Sequence, residues 1–289
     1  MRHFQRRTGM CILFFALLIA PVYGISQAQA TPGITVGGSG IAAQAFQALA
    51  DASGANAVLT VTVNGTNAGL NDFCNGVTDV ALATRPMNTA EEAQCKTAAV
   101  VFNEVLLGYD ATVFVASAEN AYLECIAPSD LNTLFAPSAA GQTDSWSQFN
   151  PEYPAEAITL VLPPANTTPF AKIDSLAAGD GVRGDAVSAA DDAAVLAAVA
   201  ADANAIGVVR FSALTDESGV RALSYSNGTL SRCVAPAAET LADRTYELAD
   251  RLFAYVNTAR LDKAGLRDLL TYAASDAAAA AVITAGFTA

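Results

Sequence analysis

The stretch ITVGGSGIAAQAF, residues 34–46, joins a short apolar run to an alanine-rich run through Gly37, Gly38, Ser39 and Gly40. Branched apolar residues that end at turn formers favour a β-strand, and the run that follows favours an α-helix. Such a turn leaves free backbone N–H groups at the positive end of the helix dipole. The stretch therefore predicts an α/β unit whose turn suits a small anion.

The same stretch also matches the dinucleotide-binding pattern, as Gly38-x-Gly40-x-x-Ala43. A dinucleotide site places an acidic residue at the end of the second strand, where it holds the ribose hydroxyls. Here the second apolar run, AVLTVTV at 57–63, is followed by Asn-Gly-Thr at 64–66, without an acid. We therefore expect no dinucleotide and no other cofactor.

The first thirty residues have the pattern of a secretory signal. Three arginines lie within the first seven residues, an apolar core follows at 10–24, and the small residues AQA occupy 28–30. This order predicts an exported chain, cleaved after about Ala30, in the periplasm or outside the cell.

Removal of that segment would narrow the available chemistry. The single histidine, His3, would leave with it, so a Ser–His pair, a Cys–His pair and a histidine metal site are not expected. Twelve basic residues would remain against 28 acids, a net charge near −16. Such a surface is ill-suited to nucleic acid. We expect neither an enzyme nor a metal-binding protein.

Three further turns follow apolar runs in the same way as the first. They are NGTNAGL at 64–70, ALATRPM at 81–87 and PPANTTPF at 163–170, in which Thr168 is a natural N-cap before Pro169. In an open parallel sheet, the loops at the carboxyl ends of the strands meet at one crevice. Hydroxyls and backbone N–H groups from these loops could then bind an anion despite the acidic surface.

Four cysteines remain after the predicted cleavage. An even number in an exported chain favours disulfides, with three pairings open, and metal binding is the competing interpretation. A Cys74–Cys95 bond would close a modest loop and would leave Cys125–Cys233 as the second bond.

Several segments resemble the phosphate-binding proteins of ABC transporters. The most specific is FCNGVTDVALATRPMNTAEEAQC at 73–95, in which the two cysteines of the family pair with each other; NGTNAGL, SWSQF at 145–149 and CVAPAAETLADRTYELADRLFAYV at 233–256 are also similar. The resemblance covers the whole mature chain. It implies an α/β, two-lobed type 2 periplasmic-binding-protein fold, in which each lobe is a mostly parallel sheet flanked by helices and the ligand lies between the lobes.

The resemblance also implies a domain organisation. YDATVFVAS at 109–117 is similar to the strand that crosses into the second lobe. We expect a signal peptide at 1–30, a first lobe at 31–112 and 246–289, and a second lobe at 113–245.

Ligand-binding residues follow from the motifs that match the family. Arg183 is predicted as the cation, because one guanidinium can hold a tetrahedral oxyanion through two hydrogen bonds. Arg85 either faces the anion or lies on the surface. The predicted set is Ser39, Gly40, Ile41, Thr66, Asn67, Thr84, Arg85, Thr167, Thr168 and Arg183.

The leading hypothesis is a monomeric exported protein that captures phosphate for an inner-membrane ABC permease. Two departures from the family motifs support an alternative. Gly40 stands where the family has a threonine, and Pro169 removes a backbone donor. The alternative is a sensor or adhesion-type module that keeps the scaffold and has an altered or lost anion site.

Overall fold

A computed structural model describes residues 33–55, 57–177, 181–215, 219–227 and 232–289. The predicted signal peptide, 1–30, lies outside these residues. Within the described ranges, no helix is long and apolar enough to span a bilayer.

Helices and strands alternate through the first part of the chain, as the sequence predicts. The strands are β1 (Ile34–Gly38), β2 (Leu59–Val63), β3 (Val80–Ala83), β4 (Phe102–Ser117), β5 (Cys125–Ile126), β6 (Thr159–Leu162), β7 (Val187–Ser188), β8 (Ala205–Arg210), β9 (Val220–Ala222), β10 (Ser224–Asn227), β11 (Arg232–Val234) and β12 (Ala249–Asn257). The α-helices are α1 (Gly40–Ser53), α2 (Thr66–Cys74), α3 (Thr89–Thr97), α4 (Pro128–Phe135), α5 (Trp146–Phe149), α6 (Thr168–Leu176), α7 (Asp192–Ala200), α8 (Ala238–Ala242), α9 (Leu266–Ala273) and α10 (Asp276–Thr284). Short 3₁₀ turns occupy Pro137–Ala139, Phe211–Ala213 and Thr258–Arg260.

The main sheet runs in the order β2-β1-β3-β12-β4-β8-β6-β7, and β9 pairs with β4. Strands β2, β1 and β3 are parallel to one another, as are β8, β6 and β7. Strand β12 is antiparallel to β3 and β4, and β4 is antiparallel to β8. The sheet is therefore mixed at its centre and parallel towards both ends.

Strand β4 joins the two ends of this sheet. Its residues 102–111 pair with β12, and its residues 112–116 pair with β8. One core lies under its second half and draws on β6, β8, α4, α6 and α7. Two other clusters contain β1, β3, β12, α1, α2 and α9. We call the part built on β1–β3, α1–α3, α9 and α10 lobe 1, and the part built on β6–β8, α4, α6 and α7 lobe 2.

Local signals explain how the elements of lobe 1 start and stop. Helix α1 ends at Gly54, which has the left-handed φ of 63° that glycine adopts most easily. Helix α3 begins with a capping box, in which Asn88 accepts from the Glu91 backbone and Glu91 accepts from the Asn88 backbone. A left-handed glycine therefore ends α1, and an asparagine N-cap begins α3.

Glycines let helix α2 approach strand β1. A Cβ at Gly69 would lie 2.4 Å from the Cα atom of Gly38, so only glycine fits there. The backbone of α2 consequently contacts the end of β1. This approach brings the start of α2 beside the start of α1.

Both expected disulfides are present. Cys74–Cys95 ties α2 to α3, and Cys125–Cys233 ties β5 to β11 on either side of β10. Among the described residues, no cluster of acidic, histidine and cysteine side chains could hold a metal ion.

Candidate functional site

Two adjoining cavities lie between the lobes where the strand–helix turns meet. Their volumes are about 300 Å³ and about 430 Å³, and both are lined by Gly40 and Val63 from lobe 1 and by Asn166 and Thr168 from lobe 2. Because these four residues are shared, the two cavities form one cleft. It is bounded by the turns that the sequence predicted to converge.

The lobe 1 wall contains the turn before α1. Ser39 is the N-cap residue and is only 5% exposed, yet among the described contacts its hydroxyl makes no capping hydrogen bond. Gly40 and Ile41 line the cavity at the first two positions of the helix. Backbone N–H groups in the first turn of a helix have no partner within the helix. This turn can therefore donate hydrogen bonds to an anion.

The start of α2 and the residue after the end of β3 complete the lobe 1 wall. The hydroxyls of Thr66 and Thr84 are 3.2 Å apart, and the backbone N–H of Thr84 donates to the Thr66 hydroxyl at 3.1 Å. Gly65, the N-cap residue of α2, has no side chain to cap the helix. The two hydroxyls and the start of α2 thus lie together beside Ser39, in the larger cavity.

The lobe 2 wall begins at α6, and its donors are fewer. The N-cap residue is Thr167, one position before the predicted Thr168, and its hydroxyl accepts from the Phe170 backbone at 3.5 Å. Pro169 is the second helical residue and has no N–H to offer. Thr168 and Asn166 supply the remaining polar groups on this side.

Among the described residues that line the cleft, all the charged ones belong to lobe 2. Asp191 caps α7 by accepting from the Ala194 backbone at 2.8 Å. The next residue, Asp192, accepts from the Nε atom of Arg210 at 2.6 Å. Sequence reasoning missed Arg210, Asp191 and Asp192, as well as Gln44, Asn64 and Asn166. For Asn64 and Asn166 the signal was present, since they lie within the predicted NGTNAGL and PPANTTPF turns.

Arg183 lies outside the described lining of the cleft, so its predicted role as the cation stays a prediction. Its guanidinium is buried and donates to the carboxylates of Asp185 and Asp144 and to the backbone carbonyls of Thr143 and Leu134. Hydrogen bonding to Asp185, the largest influence, raises the pKa of Arg183. Among the described lining residues Arg183 is absent, and its donors are occupied by the protein. It ties α4 to the loops of lobe 2.

Arg85 and Asn67 lie near the cleft, but the guanidinium of Arg85 is hydrogen-bonded to Asn67 and to Glu91. Arg85 makes a bidentate ion pair with Glu91, at 2.8 and 2.7 Å, and donates to the Asn67 Oδ1 atom at 2.6 Å. Hydrogen bonding to Glu91 raises the pKa of Arg85. Neither residue is among the described lining of the two cavities. Arg85 is paired with Glu91 in this structure, and which of its two predicted roles it has stays a prediction.

The other seven predicted residues do line the cleft. They are Ser39, Gly40, Ile41, Thr66, Thr84, Thr167 and Thr168. Whether they contact a ligand stays a prediction.

The fold and the cleft define a two-lobed solute-binding protein of the type 2 periplasmic class. Residues 25–277 match the family described as PBP superfamily domain, and the chain belongs to that family. Its members are solute-binding proteins.

Relatives and solved structures agree with this family. Protein SphX of Synechocystis sp. is 28% identical over 95% of this chain and 84% of its own length. Phosphate-binding protein PstS of Staphylococcus aureus is 23% identical over 67% of this chain and 58% of its own length.

Two crystal structures share the fold. A possible phosphate binding protein from Planctomyces limnophilus superposes with a TM-score of 0.76 at 23% identity, over 89% of this chain and 93% of that one. An ABC-type phosphate transport receptor from Vibrio cholerae gives 0.68 at 18% identity, over 89% and 99%.

Proposed function

We propose that this protein is an exported solute-binding protein that captures phosphate in the cleft and delivers it to an ABC permease. The observation that carries the proposal is the lobe 1 wall. There, two helix starts without side-chain caps and three hydroxyls, those of Ser39, Thr66 and Thr84, surround one cavity. Helix starts of this kind bind small anions.

Electrostatics explains how an acidic protein can hold an anion at this place. Backbone N–H groups and hydroxyls donate hydrogen bonds without adding net charge, so the binding energy does not depend on a basic surface. The relatives and structural neighbours include proteins named as phosphate-binding proteins and as a phosphate transport receptor. These names support phosphate as the oxyanion.

The remaining parts of the proposal follow from the fold. The lobes would be 31–112 with 246–289, and 113–245, and they would close about β4, whose first half pairs with β12 and whose second half pairs with β8. The protein would act as a monomer in the periplasm or outside the cell, after cleavage near Ala30, and it would not be an enzyme.

Isothermal titration of the mature chain with phosphate, sulfate and arsenate tests this function. We expect saturable heat with phosphate. Absence of heat with all three at millimolar concentration would rule out the oxyanion function.

A second candidate is a sensor or adhesion-type module without transport. Pro169 and the occupied donors of Arg183 favour it, because both reduce what lobe 2 offers to an anion. A chain that binds none of the three anions yet retains its fold by circular dichroism would support this candidate.

A further inference from the structure

A hydrogen bond between described residues connects the two lobes at the cleft. Gln44 lies on α1 in lobe 1, and Arg210 is the last residue of β8 in lobe 2. The Nη1 atom of Arg210 donates to the Gln44 Oε1 atom at 2.7 Å. Both residues line the 300 Å³ cavity. The contact therefore spans the space between the lobes.

The lobe 2 end of this contact is held in place. The Nε atom of Arg210 donates to Asp192 at 2.6 Å, and the Asp192 side chain is only 10% exposed. Asp192 lies in the first turn of α7, where the helix dipole favours a carboxylate. The ion pair thus fixes Arg210 to lobe 2 and leaves its Nη1 atom to reach lobe 1.

The lobe 1 end is the weaker one. Gln44 is exposed, and its amide is neutral, so water can replace it as the acceptor for Arg210. A partly exposed hydrogen bond of this kind contributes modestly to stability, because water competes for both groups. It can therefore break each time the lobes separate, while the Asp192–Arg210 pair stays intact.

We propose that Gln44, Arg210 and Asp192 form a latch that holds the lobes together and slows ligand release. Arg210 donates the hydrogen bond that crosses between the lobes, and Gln44 on lobe 1 accepts it. Asp192 holds Arg210 in position on lobe 2. The effect on release rests on the proposed function, whereas the closing contact rests on the geometry alone. Opening the lobes must break the Arg210–Gln44 bond, so its loss should raise the rate of release.

Gln44→Ala tests the latch, and Gln47→Ala is its matched control. Both residues are exposed on α1, and the Gln47 amide donates to Asp51 one turn further along the same helix. The change at Gln44 leaves the Arg210–Asp192 pair in place. Neither change touches a buried residue, so both variants should fold.

The first measurement is the exchange of bound radiolabelled phosphate for excess unlabelled phosphate. We expect Gln44→Ala to speed release by about three- to tenfold, the range for an ordinary hydrogen bond for which water competes. Gln47→Ala should release phosphate at the wild-type rate. Equal rates for Gln44→Ala and the wild type would overturn the latch, and so would equal acceleration by both variants.

The second measurement separates this inference from the proposed function. If the wild type binds no phosphate, the proposed function fails, and small-angle X-ray scattering of the ligand-free proteins then decides the latch. A larger radius of gyration for Gln44→Ala than for the wild type and Gln47→Ala would support the latch. Equal radii for all three proteins would overturn it.

Discussion

The two walls of the cleft use different chemistry. The lobe 1 wall presents Ser39, Thr66 and Thr84 with helix starts that no side chain caps, among the contacts described. On the lobe 2 wall, Thr167 and Asp191 cap the helices that follow them. The charged side chains of the described cleft lining also belong to lobe 2. Groups that stabilise the protein are not free to bind a ligand. The comparison predicts that lobe 1 residues govern affinity and that lobe 2 residues govern stability and closure.

Replacing the buried arginine of lobe 2 should give the largest effect. Arg183→Gln removes the donors to Thr143, Leu134 and two carboxylates, and we expect the free energy of unfolding to fall by about 3 kcal/mol. This is the low end for a broken buried pair, since both carboxylates are about half exposed. Urea unfolding measures the loss.

The affinity of folded Arg183→Gln for phosphate should equal that of the wild type. Arg85→Gln is the control, because it removes a partly exposed ion pair and should cost less than about 1 kcal/mol. A large loss of affinity in Arg183→Gln without a loss of stability would return Arg183 to the site and break the comparison.

Asp110 should make the stability of the protein depend on pH. It lies on β4, opposite Asp250 of β12, and accepts from the backbone and hydroxyl of Ser212. Burial raises the pKa of Asp110 to about 6 from 3.8. The folded state therefore holds this proton more tightly than the unfolded chain, and its ionisation destabilises the fold as the pH rises from about 4 to about 6.

Asp110→Asn removes that ionisation. Relative to the wild type, the variant should gain stability as the pH rises through this window, by up to about 3 kcal/mol, and the difference should level off above it. Urea unfolding of both proteins between about pH 4 and pH 7 measures the difference. A difference that does not vary with pH would show that Asp110 ionises with the same pKa in both states.

Ser39→Ala tests the lobe 1 wall. Because its hydroxyl makes no capping bond among the described contacts, its removal should leave the melting temperature nearly unchanged. We expect phosphate affinity to fall at least about tenfold, the low end for one hydrogen bond to a charged group. Titration calorimetry and thermal unfolding measure the two quantities, and a loss of stability without a loss of affinity would reverse the roles of the walls.

Thr167→Ala should give the smallest effect and the opposite balance. This threonine caps α6, so the free energy of unfolding should fall by about 1 kcal/mol, the usual cost of losing an N-cap. Phosphate affinity should change less than it does in Ser39→Ala. If Thr167→Ala costs more affinity than Ser39→Ala, the main donors lie on lobe 2.

The arginines explain where sequence reasoning about the site stops. Arg183 was predicted as the cation, but its guanidinium is paired with the carboxylates of Asp144 and Asp185. Arg210 ends an ordinary apolar strand, and nothing beside it in the sequence indicates a cleft. The role of an arginine depends on which acceptors the fold brings to it, and Gln44, which Arg210 contacts, is 166 positions away.

The sequence by itself determined the features that depend on neighbouring residues. Apolar periodicity, glycine stops and caps set the strand–turn–helix units, and the motif at 73–95 indicated the family and a disulfide. The tertiary structure decided which side chains face the cleft and which face the core. That choice depends on the antiparallel pairing of β4 with β12 and β8, which brings together residues far apart in the chain. Helix starts that can bind an anion could be predicted from neighbouring residues in the sequence. Whether an arginine is paired with a carboxylate could not be predicted in that way.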